Sequence, residues 1–394
     1  MKIYLKNNVF QESLNRIRRL YDEFENIVVG FSGGKDSTIC LNLTIQVAKE
    51  RNRLPVSVMW LDQESEWQAV NNYVKSVMLR EEVNPLWFQI PFRETMNTSY
   101  GEKFFNVWDE QKESEWIRPK DELSIKVNDF GTDRFHDLFT LIPRKLFNDE
   151  NFCYIAGVRA EESPARTMAV TQVATYKDIT WGKVLDKKRK HYTFYPIYDW
   201  SYTDVWKAIH EHNWDYCNLY DRMYQYGLGI NLMRISSVQH ETAIHALFFM
   251  QEIEPDTWNA VVKRLEGINT FSKLSKETFY APKELPTMFS TCNEYRDYLA
   301  ENLLSNDDFP KFKKQFEKID QIYYGVKINE AISKACIGAV LLNDFEMRKI
   351  GNFKKIADVG YWLQWSRGLL KNDNKKNKYI LDSISRGEKP RTNE

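Results

Sequence analysis

Along the first half of the chain, short β-branched runs alternate with helical stripes. Ile27-Val-Val-Gly-Phe31 is a compact apolar run broken at once by Ser-Gly-Gly, which predicts a strand ending in a tight loop. From Ser37 the apolar positions Ile39, Cys40, Leu43, Ile45 and Val47 keep helical spacing up to Glu50. Pro55-Val-Ser-Val-Met-Trp-Leu61 predicts a second buried strand. From Glu64 onward, Trp67, Val70, Tyr73, Val74, Val77 and Met78 form one stripe of an amphipathic helix. Leu86-Trp-Phe-Gln-Ile90 predicts a third strand, stopped by Pro91. After a polar, irregular stretch near 97–130, Phe135 to Phe147 has helical spacing, and Phe152-Cys-Tyr-Ile-Ala156 predicts a fourth strand before Gly157.

This alternation predicts an α/β fold, a doubly wound and mostly parallel sheet joined by right-handed crossovers. Beyond about residue 200 the pattern turns helical: Tyr202 to His212, Thr242 to Glu252 and, most clearly, Val326 to Asn343. The expected division is a nucleotide-binding domain over 1–230 and a mainly helical C-terminal domain over 231–394. The tail from Lys371 is polar and rich in Lys and Asn, and its end is expected to fray. No internal repeat is visible.

Composition narrows the classes. The 394 residues suffice for two domains, and their high content of Trp, Tyr and Phe argues for a packed interior. With 55 basic and 55 acidic side chains, no whole-molecule field draws the chain to nucleic acid. No apolar run approaches the ~18 residues of a membrane span, and the start lacks a signal peptide's apolar stretch, so a cytoplasmic location is expected. The five cysteines, Cys40, Cys153, Cys217, Cys292 and Cys336, are scattered and form no CxxC or Cys/His cluster. They are expected to be free thiols, with neither zinc nor an iron–sulfur cluster.

The sharpest chemical signal is Ser32-Gly33-Gly34-Lys35-Asp36-Ser37, between a strand and a helix start. Two glycines let the backbone turn tightly and bring N–H groups against a ligand. Ser37 is expected to cap the helix, whose positive dipole end faces the same place. Together these make an anion cradle, to which Lys35 adds positive charge and Asp36 a carboxylate able to hold Mg²⁺. Val29 stands where a Walker A loop requires glycine, and Lys35 is followed by Asp, so this is not that motif. A second constellation, Gly157-Val-Arg159-Ala-Glu-Glu-Ser-Pro-Ala-Arg166, follows the fourth strand. Parallel sheets bind ligands at strand carboxyl ends, so both loops can share one cleft, where Arg159 and Arg166 offer planar forks to phosphate or sulfate. Asp62 ends the second strand and could accept from a ribose hydroxyl or hold a metal, whereas Glu66 is better explained as an acid at a helix N-terminus.

Ser-Gly-Gly-x-Asp-Ser after a strand resembles the PP-loop of ATP pyrophosphatases, which holds the pyrophosphate of ATP while chemistry falls on the α-phosphate. The Arg159–Arg166 segment resembles the Gly-x-Arg-x-x-Glu-Ser-x-x-Arg segment of phosphoadenosine phosphosulfate (PAPS) reductases and the related sulfate adenylyltransferase subunit. Phe194-Tyr-Pro-Ile-Tyr-Asp-Trp-Ser-Tyr-Thr-Asp-Val-Trp206 is similar to another segment of that family and is expected to be scaffold, with Asp199 or Ser201 starting a helix. The resemblance spans about residues 25–230 and implies an adenine nucleotide alpha hydrolase-like fold, with ATP or PAPS as ligand and Asp36 and Asp62 as Mg²⁺ ligands. It implies Lys35, Asp36, Arg159 and Arg166 as catalytic residues, with Ser32, Gly33, Gly34, Ser37, Asp62 and Gly157 completing the nucleotide site. The later part, including Ser366 to Asp373, looks like a subfamily of bacteria, mobile elements and phages, exemplified by immunoglobulin-binding regulators and often found beside a ParB-like partner.

The resemblance breaks at sulfur chemistry. PAPS reductases attack with a cysteine in a C-terminal Glu-Cys-Gly-x-His segment, and no such segment exists here. The expected activity is therefore cleavage of ATP at the α-phosphate, adenylating an unknown acceptor. A sulfonucleotide reductase with relocated thiols and a non-catalytic nucleotide-sensing regulator are the alternatives. Lys187, Lys188, Arg189 and Lys190, flanked by Trp181, His191 and Tyr192, form the only dense basic run. It could meet nucleic-acid phosphate, but a solvated hairpin tip is the better expectation.

Overall fold

The structure is a computed structural model describing residues 6–95, 104–163, 166–167, 170, 176–177, 179–186, 190–230, 233–235, 237–239, 244–269, 284–323, 329–341 and 344. The chain divides into two compact units, Met1–Leu274 and Ser275–Glu394.

In the first unit the described elements run α1 (Val9–Glu23), β1 (Asn26–Gly30), α2 (Lys35–Glu50), β2 (Val56–Leu61), α3 (Gln68–Met78) and β3 (Val83–Phe88). Then come β4 (Phe92–Thr95), β5 (Phe104–Val107), α4 (Phe135–Leu146), β6 (Phe152–Ile155), β7 (Gly182–Asp186) and β8 (His191–Phe194). Four helices follow, α5 (Tyr202–Glu211), α6 (Leu219–Gln225), α7 (Ile244–Ile253) and α8 (Pro255–Arg264). Six strands form one sheet in the order β3-β2-β1-β6-β8-β7, parallel throughout except for β7 against β8. The four residues of β6 are all buried, and so are the last four of β2. Successive strand side chains point to opposite faces, so both faces of the sheet are covered. This is the α/β doubly wound, mostly parallel architecture that the alternation predicts.

Strand order reverses between β1 and β6, which lie side by side with Val28 opposite Tyr154 and Val29 opposite Ile155. Loops leaving adjacent strands on opposite sides of such a reversal open a crevice at the carboxyl ends. β3 begins three residues before the expected run and contains Pro85; the sheet tolerates a residue with no N–H there because β3 is an edge strand. The stretch near 97–130, expected to be irregular, contains β5, which pairs antiparallel with β4 from Phe92 opposite Val107 to Thr95 opposite Phe104. Four residues are too few for an alternation pattern to show.

Helix ends follow local chemistry in two cases. Asn8 caps α1 through the Gln11 N–H, and Ser201 caps α5 in a reciprocal box with Asp204, while Asp199 instead pairs with Arg16. α3 is capped from far away: the Glu254 carboxylate accepts from the N–H of Gln68 at 2.7 Å and of Ala69 at 2.9 Å. Glu254 thus joins α3 from within the same compact unit, Met1–Leu274. Arg264 pairs with the fully buried Glu64 at 2.7 Å, and Val238 N–H donates to Ser65 O at 3.0 Å, so residues up to the end of α8 belong to the sheet's own core.

The second unit contains α9 (Cys292–Leu303), α10 (Phe309–Tyr323) and α11 (Asn329–Leu341) around a core including Leu299, Phe312, Phe316, Ile332 and Ile337. Arg296, 1% exposed, makes two 2.9 Å bonds to Asp320 and lies over the Phe316 ring. Ser366 to Asp373 and the tail from Lys371 lie outside the described residues. No helix among the described residues is long and apolar enough to cross a membrane.

Candidate functional site

The two loops at the strand reversal meet. The Ser32–Gly34 turn leaves β1, and Gly33 adopts φ +71, a left-handed conformation in which a Cβ would also meet Val70 Cγ1 at 2.9 Å. Gly157 follows β6 and packs so closely that a Cβ there would stand 2.7 Å from Asp36 C, Asp36 O and Ser37 N. Glycine at both positions is therefore steric necessity. The expected Ser37 cap is corrected: the N-cap residue of α2 is Gly34, which has no side chain to cap with. Ser37 Oγ donates to Gly34 O at 2.8 Å and accepts from Ser32 N–H at 3.3 Å, so it braces the turn from inside the first helical turn. Lys35 N–H meets the Tyr220 hydroxyl at 3.2 Å.

The charged residues converge. Arg159, with 5% of its side chain exposed, donates from Nε to Asp36 Oδ1 at 2.5 Å, and Lys35 Nζ lies 3.5 Å from Asp36 Oδ2. Lys35 Nζ also stands over the Tyr220 ring, 5.1 Å from its centroid, and 5.9 Å from that of Tyr202. Arg159 reaches Glu161 at 3.3 Å, and Arg166 pairs with Glu162, whose carboxyl is pushed above the usual range by burial. A cavity of about 380 Å³ opens here. Its walls include Ser32, Gly34, Lys35, Asp36, Ser37, Gly157, Arg159 and Arg166, joined by Tyr202, Tyr220 and Arg234. Four cations, Lys35, Arg159, Arg166 and Arg234, face three carboxylates, Asp36, Glu161 and Glu162, leaving positive charge in excess.

Asp62 stands apart. Its carboxylate is fully buried and accepts from Trp87 Nε1 at 3.0 Å, Gln89 Nε2 at 2.8 Å, Arg118 at 2.6 Å and the Glu64 N–H at 2.9 Å. With its acceptor sites filled it does not line the cavity, and neither a ribose hydroxyl nor a metal reaches it without displacing Arg118. Asp36 keeps only the oxygen beside Lys35, and among the described residues no group of three His, Cys, Asp or Glu side chains could hold a metal. These residues make no protein cage for Mg²⁺; an ion there would be held chiefly by phosphate oxygens. Glu66 stands one residue before Trp67, the N-cap of α3. It is buried and accepts from Ser237 Oγ at 2.5 Å.

All five cysteines are buried. Burial pushes the thiols of Cys217 and Cys336 up to about 12, and those of Cys40 and Cys153 higher still. Of the three cysteines in the first unit, Cys40, Cys153 and Cys217, none lines the cavity. The basic run sits between the paired strands β7 and β8: Lys190 is exposed in the turn, and Lys187, Lys188 and Arg189 lie outside the described residues. Of its flanking aromatics, His191 stacks on Phe152, and Trp181 and Tyr192 pack on Phe194.

Sequence reasoning passed over Tyr202, Tyr220 and Arg234. Tyr202 falls in a segment whose aromatic content is explained by packing alone. Tyr220 and Arg234 reach the cavity only through tertiary contacts. A larger cavity, about 520 Å³, lies at the start of α3 beside Tyr216, Arg222 and Glu254, but Glu254 already occupies the helix N–H groups there.

The chain is similar to the Escherichia coli uncharacterized protein YbdN, with 28% identity over 283 residues, 68% of each chain. It is 32% identical over 88 residues to adenosine 5′-phosphosulfate reductase of Anoxybacillus flavithermus, covering 22% of this chain and 33% of that one. Among solved structures, Candida glabrata FMN adenylyltransferase, in complex with FMN and an ATP analog, matches with a TM-score of 0.35 and 12% identity over 56% of this chain and 64% of that one. PAPS reductase from Candida auris matches with a TM-score of 0.31 and 12% identity, covering 56% of this chain and 94% of that one. The phosphoadenosine phosphosulfate reductase domain profile matches residues 26–229, more than half of the 394. The chain belongs to the phosphoadenosine phosphosulfate reductase domain family.

Proposed function

We propose that this chain binds ATP in the cavity between the Ser32–Ser37 and Gly157–Arg166 loops and transfers its adenylyl group to an acceptor, releasing pyrophosphate. The observation that carries the reading is the meeting of Lys35, Arg159 and the start of α2 in one crevice at the strand reversal. Oriented N–H groups and fixed cations suit a polyphosphate and act as preorganised charge stabilisation. Lys35 and Arg159 neutralise the phosphates, while Asp36, held by both, fixes their positions. Arg166 supplies a further fork toward the α-phosphate. An acceptor oxygen or nitrogen bonds to the α-phosphorus as the bridge to the β-phosphate breaks. The bridge electrons leave with pyrophosphate, and an acceptor proton passes to solvent. Mg²⁺, carried on the phosphates, would offset their charge.

The reductase alternative needs a thiolate beside the ligand. Burial holds the first unit's thiols protonated, and none of them borders the cavity. The test is incubation with ATP labelled at the α-phosphate together with candidate acceptors. Label transferred in step with pyrophosphate release supports adenylation; orthophosphate release from the γ-position, or sulfite release from PAPS, overturns it.

A further inference from the structure

We propose that Arg234 is the acceptor-binding residue of this site and that the acceptor carries a carboxylate on an apolar body. The inference rests on the adenylation reading and deepens it. Lys35, Arg159 and Arg166 each have a carboxylate partner. Among the described residues Arg234 is the one cation of the cavity without one: its guanidinium donates to the Glu162 backbone O at 3.1 Å. Arg234 is exposed, and that single bond leaves most of its five-donor fork open to a ligand; a carboxylate matches the fork in two parallel bonds.

Met233, Ser237, Val238 and Gln239 are all buried. Ser237 Oγ donates to Glu66 at 2.5 Å, and Val238 N–H to Ser65 O at 3.0 Å. The Gln239 side chain is bonded to Ser65 and Glu94. Residues 237–239 are thus tied to the loop after β2, and Arg234 itself meets the loop after β6 through its bond to Glu162 O. Ile230, Met233 and Ile235 line the cavity beside it, so the free charge adjoins an apolar wall. A charged tip with an apolar body satisfies both features, whereas inorganic phosphate satisfies only the first.

The probe is hexanoate, titrated calorimetrically into protein saturated with α,β-methylene-ATP. Wild type should show saturable binding that the nucleotide analogue does not displace. Arg234→Gln should weaken it at least tenfold while the analogue's affinity stays within twofold. Ile235→Ala should weaken hexanoate but leave any binding of inorganic phosphate unchanged. No saturable hexanoate binding, equal binding in Arg234→Gln, or displacement by the analogue overturns the proposal. Failure of the analogue itself to bind sinks the ATP reading instead, and hexanoate titration of the two proteins without nucleotide then still decides the role of Arg234.

Discussion

Gly157 lies directly against the backbone of Asp36, with room for no Cβ between them. The two residues belong to loops that leave adjacent parallel strands, and their approach brings Arg159, two positions on, to the Asp36 carboxylate. The ion pair and the glycine contact are one arrangement, since widening the gap separates the charges as well.

Gly157→Ala should therefore act on both fold and site. Its Cβ would have to push the start of α2 away, at about 1–3 kcal/mol, a typical cost of overpacking. ATP affinity should fall at least tenfold. Calorimetry against a melting curve checks this; wild-type affinity in a folded variant would show that the loop contact is not part of the site.

Gly34→Val should behave differently. Gly34 has φ −79 and ψ 157, which any L-residue adopts, and a Cβ there meets Ser32 Oγ at 3.4 Å and Tyr220 OH at 3.6 Å. The variant should fold with nearly wild-type stability, yet its isopropyl group would intrude on the cavity wall. ATP should then no longer raise the melting temperature, as ligand bound only to the folded state otherwise does. A preserved ligand shift would remove the Ser32–Ser37 loop from the assignment.

The central strands, α2, α3 and the loop glycines were legible in the sequence because each depends on local pattern. The α3 stripe from Trp67 to Met78 is buried as its spacing predicts. What stayed hidden depends on distant partners. Nothing near Asp62 announces that Arg118 will fill its carboxylate, and nothing near Glu254 announces a helix to cap. Ser37 looks like a cap residue, but the helix begins earlier: Gly34, three positions before it, takes an extended conformation and is the N-cap. Sequence can place a carboxylate at a strand end; only packing decides whether it meets ligand or arginine.

Arg159→Ala should weaken ATP binding by about 1.5–3 kcal/mol, the loss expected for a charged hydrogen bond. Arg166→Ala should do so with less effect on melting, because Arg166 is exposed and pairs with Glu162, whereas Arg159 is buried. Affinities equal to wild type in both variants would exclude this loop from nucleotide contact.

The thiols should be unreactive in the folded protein. Iodoacetamide at neutral pH should label the native chain slowly and the unfolded chain at all five cysteines. Wild type should release no sulfite from PAPS in the presence of a thiol reductant. Rapid native labelling together with sulfite release lost in Cys217→Ser, Cys292→Ser or Cys336→Ser would favour the reductase.

Glu66 makes stability depend on pH in a direction opposite to that of a paired surface carboxylate. Burial pushes its carboxyl up to about 7, Asp62 adds to the effect, and the Ser237 hydroxyl and Arg118 oppose it. The folded chain therefore holds this proton at pH values where the unfolded chain, near the ordinary 4.5, has lost it. The contribution is fully present below the unfolded value and is lost as pH rises through about 7. The whole shift corresponds to about 3 kcal/mol at most. Glu66→Gln keeps an oxygen to accept from Ser237 and carries no charge, so it should gain on wild type as pH increases. Urea denaturation of both proteins at acidic, neutral and alkaline pH isolates the effect, because every other titrating group is common to the two. The stability difference should shift toward the variant between pH ~5 and ~8 by up to that amount. A difference that stays constant across the series would mean that Glu66 is ionised throughout and that its bond to Ser237 does not depend on its proton.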